Sequence, residues 1–242
     1  MLGVYSQAFP TVEIHRSFYE IPTDPEIRDW YSVVPDDFKF AVRVPQQISH
    51  EHRFVGVEKL LAKFLGRIEK LQEKLGPVLL QLPTDFAPGM EARAAFFSFV
   101  ESLPTGFGWA VEFRHKLWLA EDVLDVLRGK NVALVLSDGR WIKRDVMLQM
   151  ATQITANWLY LRWNASSGFP LSDFSRAQDE KSDILSQWAA VLWPLAEKVD
   201  HVFGYFSDQF EGHAPHSARV FQRLMGLPPV DPESLRLEIG VR

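Results

Sequence analysis

The sequence predicts an α/β protein of the TIM-like (β/α) barrel type, with about seven parallel strands. Three observations predict it. Short apolar runs alternate with longer amphipathic ones, the order that gives a parallel sheet with helices outside. The length, 242 residues, suits a single barrel domain over 1–242. Polar residues recur at the C-terminal ends of the apolar runs, where barrels gather their chemistry.

The elements follow in order. TVEI (11–14) and FKFAVRV (38–44) read as strands. FVGVEKLLAKFLGRIEKLQEKL (54–75) predicts a helix. Its apolar residues Val57, Leu60, Leu61, Phe64, Leu65, Ile68 and Leu71 repeat at helical spacing, with Lys and Glu opposite. Gly76 and Pro77 are expected to stop it. VLLQ (78–81) is the next strand and leads into the turn-rich LPTDFAPG. EARAAFFSFVESL (91–103) predicts a helix, WAVEFR (109–114) a strand, and AEDVLDVLRGKN (120–131) a helix closed by Gly129 and Asn131. VALVLSD (132–138) and WLYLRW (158–163) are strands, and a helix is expected from about residue 179 to 199. HVFGYF (201–206) is the last strand and APHSARVFQRLMG (214–226) the closing helix. No tandem repeat, low-complexity tract or linker interrupts the series.

Composition narrows the function classes. The hydrophobic fraction of 47% and charged fraction of 24% are ordinary for a globular chain, so a packed core is expected. Cysteine is absent, which excludes disulfides, thiol nucleophiles and Cys-ligated metals. The N-terminus lacks a basic stretch followed by a long apolar one, and WAAVLWPLA (188–196) is too short to cross a bilayer. A cytoplasmic protein without a membrane partner is expected. The net charge of −5 does not favour nucleic acid as the partner.

The strand ends carry the candidate chemistry. Glu13 and His15 share a face at the end of the first strand, and Lys39, Ala41 and Arg43 share one in the second. Gln81 ends the third. Glu112 and Arg114 end the fourth with His115 next, and Asp138 ends the fifth. Tyr160 and Arg162 share a face in the sixth, and Asp208 follows the seventh. Burying a charge costs several kcal/mol (order of magnitude) unless it is paired. Polar intrusions at equivalent positions therefore point to an organised ligand site, with a space-filling Glu/Arg network as the structural alternative.

These motifs together carry a family resemblance. FPTVEIHRSFYEIP (9–22), FKFAVRVP (38–45), the region of His50, GPVLLQLP (76–83), AVEFRH with Trp118, VALVLSD (132–138), YLRW (160–163) and GYFSDQFEGHAPHSA (204–218) occur in order over nearly the whole chain. The chain resembles the YecE-like barrel family (domain of unknown function seventy-two). The resemblance implies a TIM-like barrel reminiscent of sugar-isomerase and endonuclease-IV-like barrels, and supplies no established reaction. Members usually begin with an additional strand and a turn of the type IGTSGWSY. This chain starts within what would be the first helix (LGVYSQAF). The resemblance thus implies a barrel lacking its first strand, or one whose gap is covered by another segment or by a second copy in a homo-oligomer. Trp163 and Asn164 stand where members commonly have an apolar residue and His, and His15 stands where Asn is common.

Three chemistries compete for the strand ends. Glu13 and Glu112 could serve as an acid/base pair, if their environments split their pKa values; pairing of Glu112 with Arg114 or Arg162 is the structural alternative. A divalent metal would draw on Glu13, His15, His50, His52, Glu112, His115, Asp138 and Asp208. The arginines Arg43, Arg114 and Arg162 would already neutralise those carboxylates, so no metal and no cofactor is expected. An anion site is the better-supported reading. EGHAPHSAR (211–219) runs from Gly212 and His213 into a helix with Pro215 in its first turn, and free N–H groups at a helix start bind phosphate. Arg43, Arg114 and Arg162 would complete the pocket, with Gln81, His115, Asp138, Tyr160 and Asp208 lining it. No GxSxG, G-x-G-x-x-G or GxxxxGK[ST] element is present. The expectation is an enzyme or ligand-binding barrel for a small anionic molecule, phosphorylated, sugar-like or nucleic-acid-like. The alternative is a non-catalytic binding or scaffold module.

Overall fold

The computed structural model of the protein describes residues 2–165, 171 and 173–235. Helices and strands alternate: α1 (Leu2–Ala8), β1 (Thr11–Ile14), α2 (Asp24–Ser32), β2 (Lys39–Arg43), α3 (Glu58–Ile68), β3 (Leu75–Gln81), α4 (Met90–Ser102), β4 (Trp109–Glu112), α5 (Glu121–Gly129), β5 (Ala133–Asp138), α6 (Arg144–Met150), β6 (Trp158–Trp163), α7 (Ser182–Ala196), β7 (His201–Phe206) and α8 (Ala214–Leu224). The seven strands follow the order β1-β2-β3-β4-β5-β6-β7 along the sheet. Two compact units make up the chain, residues 1–80 with 229–242, and residues 81–228. Among the described residues no helix is long and apolar enough to cross a membrane.

In the first unit β1, β2 and β3 pair in parallel, with Glu13 beside Ala41 and Arg43 beside Leu79. α2 goes beyond the elements read from periodicity, yet its start is written in T-D-P-E. The Thr23 side chain accepts from the Glu26 amide and the Glu26 carboxylate takes the Thr23 amide, with Pro25 in the first turn. The helix expected over 54–75 is corrected at both ends. α3 starts at Glu58, and past Ile68 the chain tightens into a 3₁₀ turn broken by Gln72 at φ 50°, ψ −128°. Gly76 and Pro77 do not stop a helix; they lie inside β3. A Cβ on Gly76 would come within 3.2 Å of both the Lys39 Cβ and the Phe40 carbonyl oxygen, so this position must be bare for β3 to pass β2.

In the second unit β4 to β7 are likewise parallel. Ala110 pairs with Ala133, Ser137 with Arg162, and Arg162 in turn with Tyr205. Alternation then assigns the faces. Ala110 and Glu112, Val135 and Ser137, Tyr160 and Arg162, and Phe203 and Tyr205 share one. Leu134, Leu136, Asp138, Leu161 and Trp163 share the other. On this second face the Trp163 ring stacks on Phe206 (4.2 Å between centroids) and meets Trp188 of α7 edge-on at 6.1 Å. A Cβ on Gly204 would lie 3.1 Å from the Trp163 ring, which accounts for glycine in the middle of β7. The start of β5 is pinned by the buried Thr155 hydroxyl, which donates to the Val132 carbonyl (2.7 Å) and accepts from the Leu134 amide (2.8 Å).

Candidate functional site

The site is built on the C-terminal ends of β3, β4 and β6 and the loop after β5. Glu112, the last residue of β4, is completely buried. β6 aims Arg162 at it from the same face, and Arg162 Nη1 donates to Glu112 Oε2. The same Nη1 donates to the side-chain oxygen of Gln81, the last residue of β3, at 3.3 Å. Arg114, two residues past Glu112, brings a second guanidinium; its Nε is 3.8 Å from Glu112 Oε1 and buried without a hydrogen-bond partner. Isolated buried charges cost several kcal/mol each (order of magnitude), and here mutual attraction across a short pair offsets that cost.

Electrostatics distinguish the two arginines. The Arg114 side chain keeps 20% of its surface, against 10% for Arg162. Burial holds the Arg114 pKa below the ordinary arginine value; Glu112 opposes the shift, and Arg162 and Arg140 add to it. Arg140, exposed in the loop after β5, lies with its guanidinium carbon 4.2 Å from the centre of the Trp141 ring. The Arg114 guanidinium approaches the same ring at 5.3 Å, and Trp141 is 37% exposed. The group therefore grades from a buried ion pair to a solvent-facing rim of one aromatic ring and two cations.

Other expected residues lie elsewhere. Asp138 is corrected: it points to the opposite face of β5 from Ser137, where it accepts from the Trp188 indole (2.7 Å) and pairs with Arg144 (2.5 Å). Alternation along VALVLSD places it with Leu134 and Leu136. The anion site expected at the start of α8 is corrected too. Asp208 Oδ1 accepts from the Ala214 amide at 2.8 Å, and the buried Glu211 carboxylate takes the Ser217 hydroxyl and the Lys181 amide. Pro215 has no amide and the His216 and Ser217 amides bond the His213 carbonyl, so each amide of that first turn already has a partner within the chain. Gly212 adopts φ 100°, and a Cβ there would meet the Arg176 carbonyl at 2.9 Å, so this glycine serves the turn. His213 donates from Nδ1 to the Phe174 carbonyl (2.9 Å). His115 Nδ1 accepts from the Leu117 amide (3.4 Å) within a short 3₁₀ turn. Tyr160 is buried on the Arg162 face, its ring 5.0 Å from Tyr205.

Glu13 and Arg43 belong to the first unit. Glu13 is half-buried on β1. Arg43 is buried; its Nη1 lies 2.5 Å from His15 Nδ1 and its guanidinium carbon 4.2 Å from the Phe18 ring. Because a guanidinium can only donate, His15 Nδ1 must be the acceptor there, and the ring proton sits on Nε2, facing the Tyr19 hydroxyl at 3.2 Å. Among the described residues no group of three or more His, Asp or Glu side chains is placed to hold a metal ion. Arg140 and Trp141 were not among the expected site residues. The signal for them is S-D-G-R-W, a cation and a ring immediately past a strand's C-terminal end.

Comparison with known proteins agrees with the fold. The UPF0759 protein YecE of Escherichia coli (strain K12) is 32% identical over 144 residues, a match covering 57% of this chain and 52% of YecE, so the chain spans about half the length of that relative. The UPF0759 protein YunF of Bacillus subtilis (strain 168) is 28% identical over 245 residues, covering 93% of this chain and 86% of YunF. The crystal structure of a DUF72 family protein from Enterococcus faecalis V583 superposes with a TM-score of 0.78 at 19% identity, covering 98% of this chain and 92% of that one. One from Thermotoga maritima MSB8 superposes with a TM-score of 0.74 at 23% identity, covering 90% and 85%. These likenesses show the TIM-like α/β fold, which here has seven parallel strands. The sequence matches the family described as "Protein of unknown function DUF72" over residues 1–236, and the chain belongs to that family.

Proposed function

We propose that the β4–β6 end of the second unit binds a small anionic molecule, with Arg114 as its principal contact and the Glu112–Arg162 pair as the fixed base beneath. The observation that carries this reading is the state of Arg114. It is partly reachable, its buried Nε lacks a hydrogen-bond partner, and its charge is disfavoured by burial and by two further guanidiniums. A bound anion meets the reachable part of the guanidinium and offsets the charge that burial and the two further guanidiniums disfavour, and the planar fork matches a carboxylate or phosphate edge. Glu112 is engaged by Arg162, which favours a positioning role over proton transfer.

The complete burial of Glu112 is the observation that favours the second reading, a structural network without a ligand. Thermal unfolding of the wild type and of Arg114→Gln in inorganic phosphate, at ionic strength held constant with potassium chloride, separates the two. Saturating ligand at about 100 times Kd adds about 2.7 kcal/mol. For a chain of this length that is a rise of roughly 5–10 °C in Tm. The wild type is expected to show this saturable rise and R114Q to lose most of it. Equal responses of the two proteins would overturn the anion reading.

A further inference from the structure

We infer that the anion this site selects is a dianion, a phosphate monoester in preference to a carboxylate or a phosphate diester; this rests on the anion-binding reading. The geometry points to two cations at one rim. Arg114 and Arg140 come from different loops, after β4 and after β5, and the Trp141 ring takes both guanidinium groups, at 5.3 and 4.2 Å. Arg114 keeps only the loose 3.8 Å ion pair with Glu112. Arg140 contacts the ring and, among the described residues, forms no ion pair.

The acids flanking these two loops in sequence have other partners: Asp138 faces Trp188 and Arg144 on the other side of β5, Glu121 and Asp125 pair with Arg128, Asp122 pairs with Arg93, and Asp145 takes the Val146 amide. Two like charges on one ring repel unless a counter-charge lies between them, and Arg140 is felt as repulsion at Arg114. A monoanion satisfies one guanidinium. A phosphate monoester above its second pKa carries two charges on three terminal oxygens, enough to bridge both. The 37% of Trp141 that stays exposed offers an apolar surface for the organic part of such an ester.

The test measures binding of glucose 6-phosphate, dimethyl phosphate and sulfate by calorimetry, at pH 5 and pH 8, to the wild type, Arg140→Gln and Arg114→Gln. With a second phosphate pKa of about 6, roughly a tenth of the monoester is dianionic at pH 5 and nearly all of it at pH 8. Its Kd is expected to tighten about tenfold between those pH values. Sulfate, a dianion throughout, serves as the control for the groups on the facing elements (Glu112 at the end of β4, Arg114 and His115 after it, Arg140 after β5, Arg162 on β6) and is expected to change less than about twofold. Dimethyl phosphate, a monoanion, is expected to bind weakly at both. Arg140 is exposed, so R140Q keeps the fold; it is expected to cut the preference for glucose 6-phosphate over dimethyl phosphate by about fivefold, the worth of one partly screened charge. Comparable binding of monoester and diester at pH 8, or an unchanged preference in R140Q, would overturn the dianion inference and leave the anion site standing. No binding of either phosphate or sulfate to the wild type, or undiminished binding to R114Q, would overturn the anion site itself, and this inference with it.

Discussion

Replacing Glu112 by Gln removes one charge and almost no volume, and its cost is set by what it strands. The carboxylate is completely buried, the Arg162 side chain keeps 10% of its surface, and Arg114 keeps 20%. Removing one partner of a buried pair typically costs about 3–5 kcal/mol, because the remaining charge stays buried without compensation. Gln still offers an oxygen to Arg162, so the lower end applies, about 3 kcal/mol. That is a fall of roughly 6–12 °C in Tm for a chain of this length. Urea unfolding followed by tryptophan fluorescence measures the loss without screening the charges. The double variant E112L/R162M is expected to recover most of it, since an apolar pair of similar volume is close to neutral in such sites. A loss below about 1 kcal/mol in E112Q, or a double variant no better than the single one, would refute the claim that Glu112 holds these guanidiniums.

Three smaller perturbations test the frame around the site. Thr155→Val removes both hydrogen bonds that pin the start of β5, so it is expected to cost about 2 kcal/mol in urea unfolding and to increase hydrogen exchange at Leu134. Gly204→Ala drives a Cβ against the Trp163 ring, which Phe206 holds from stacking distance; about 1–3 kcal/mol should be lost, with a changed tryptophan emission. Thr23→Ala opens the capping box of α2, for about 1 kcal/mol at pH 7. The Thr23 amide first, then its hydroxyl, hold the Glu26 pKa below the usual carboxylate value. T23A keeps the amide and loses the hydroxyl's share, which is present above the unfolded pKa and is lost as pH falls through the lower folded one. The gap between wild type and T23A should therefore shrink below about pH 4.

Local pattern is legible where one face decides the conformation. TVEI, WLYLRW and HVFGYF coincide with β1, β6 and β7, because β-branched and aromatic residues at period two leave little choice. Periodicity reads too far over 54–75, since the apolar spacing continues to Leu71 while Gln72 turns the backbone. It reads nothing at α6, seven residues long, too short to show a stripe. The buried pair lies beyond local reading: Glu112 and Arg162 are 50 residues apart, and Gln81 and Arg162 are 81 apart. The alternation of each strand names the face, and only the register of β4 against β5 and of β5 against β6 brings those side chains together. Asp138 is the opposite case, since the same alternation assigns it to the helix side. At α8 the sequence shows donors and acceptors at once, and folding satisfies Ala214 with Asp208 because the carboxylate is already tethered there.

The most direct measurement is a crystal structure of the protein grown with glucose 6-phosphate at a concentration well above its Kd. An anion site on Arg114 places the phosphoryl group at the end of β4, about 3 Å from the guanidinium nitrogens of Arg114, with the Glu112–Arg162 pair intact below it. A phosphoryl group bound at another place, or an empty β4 end at saturating ligand, would contradict it.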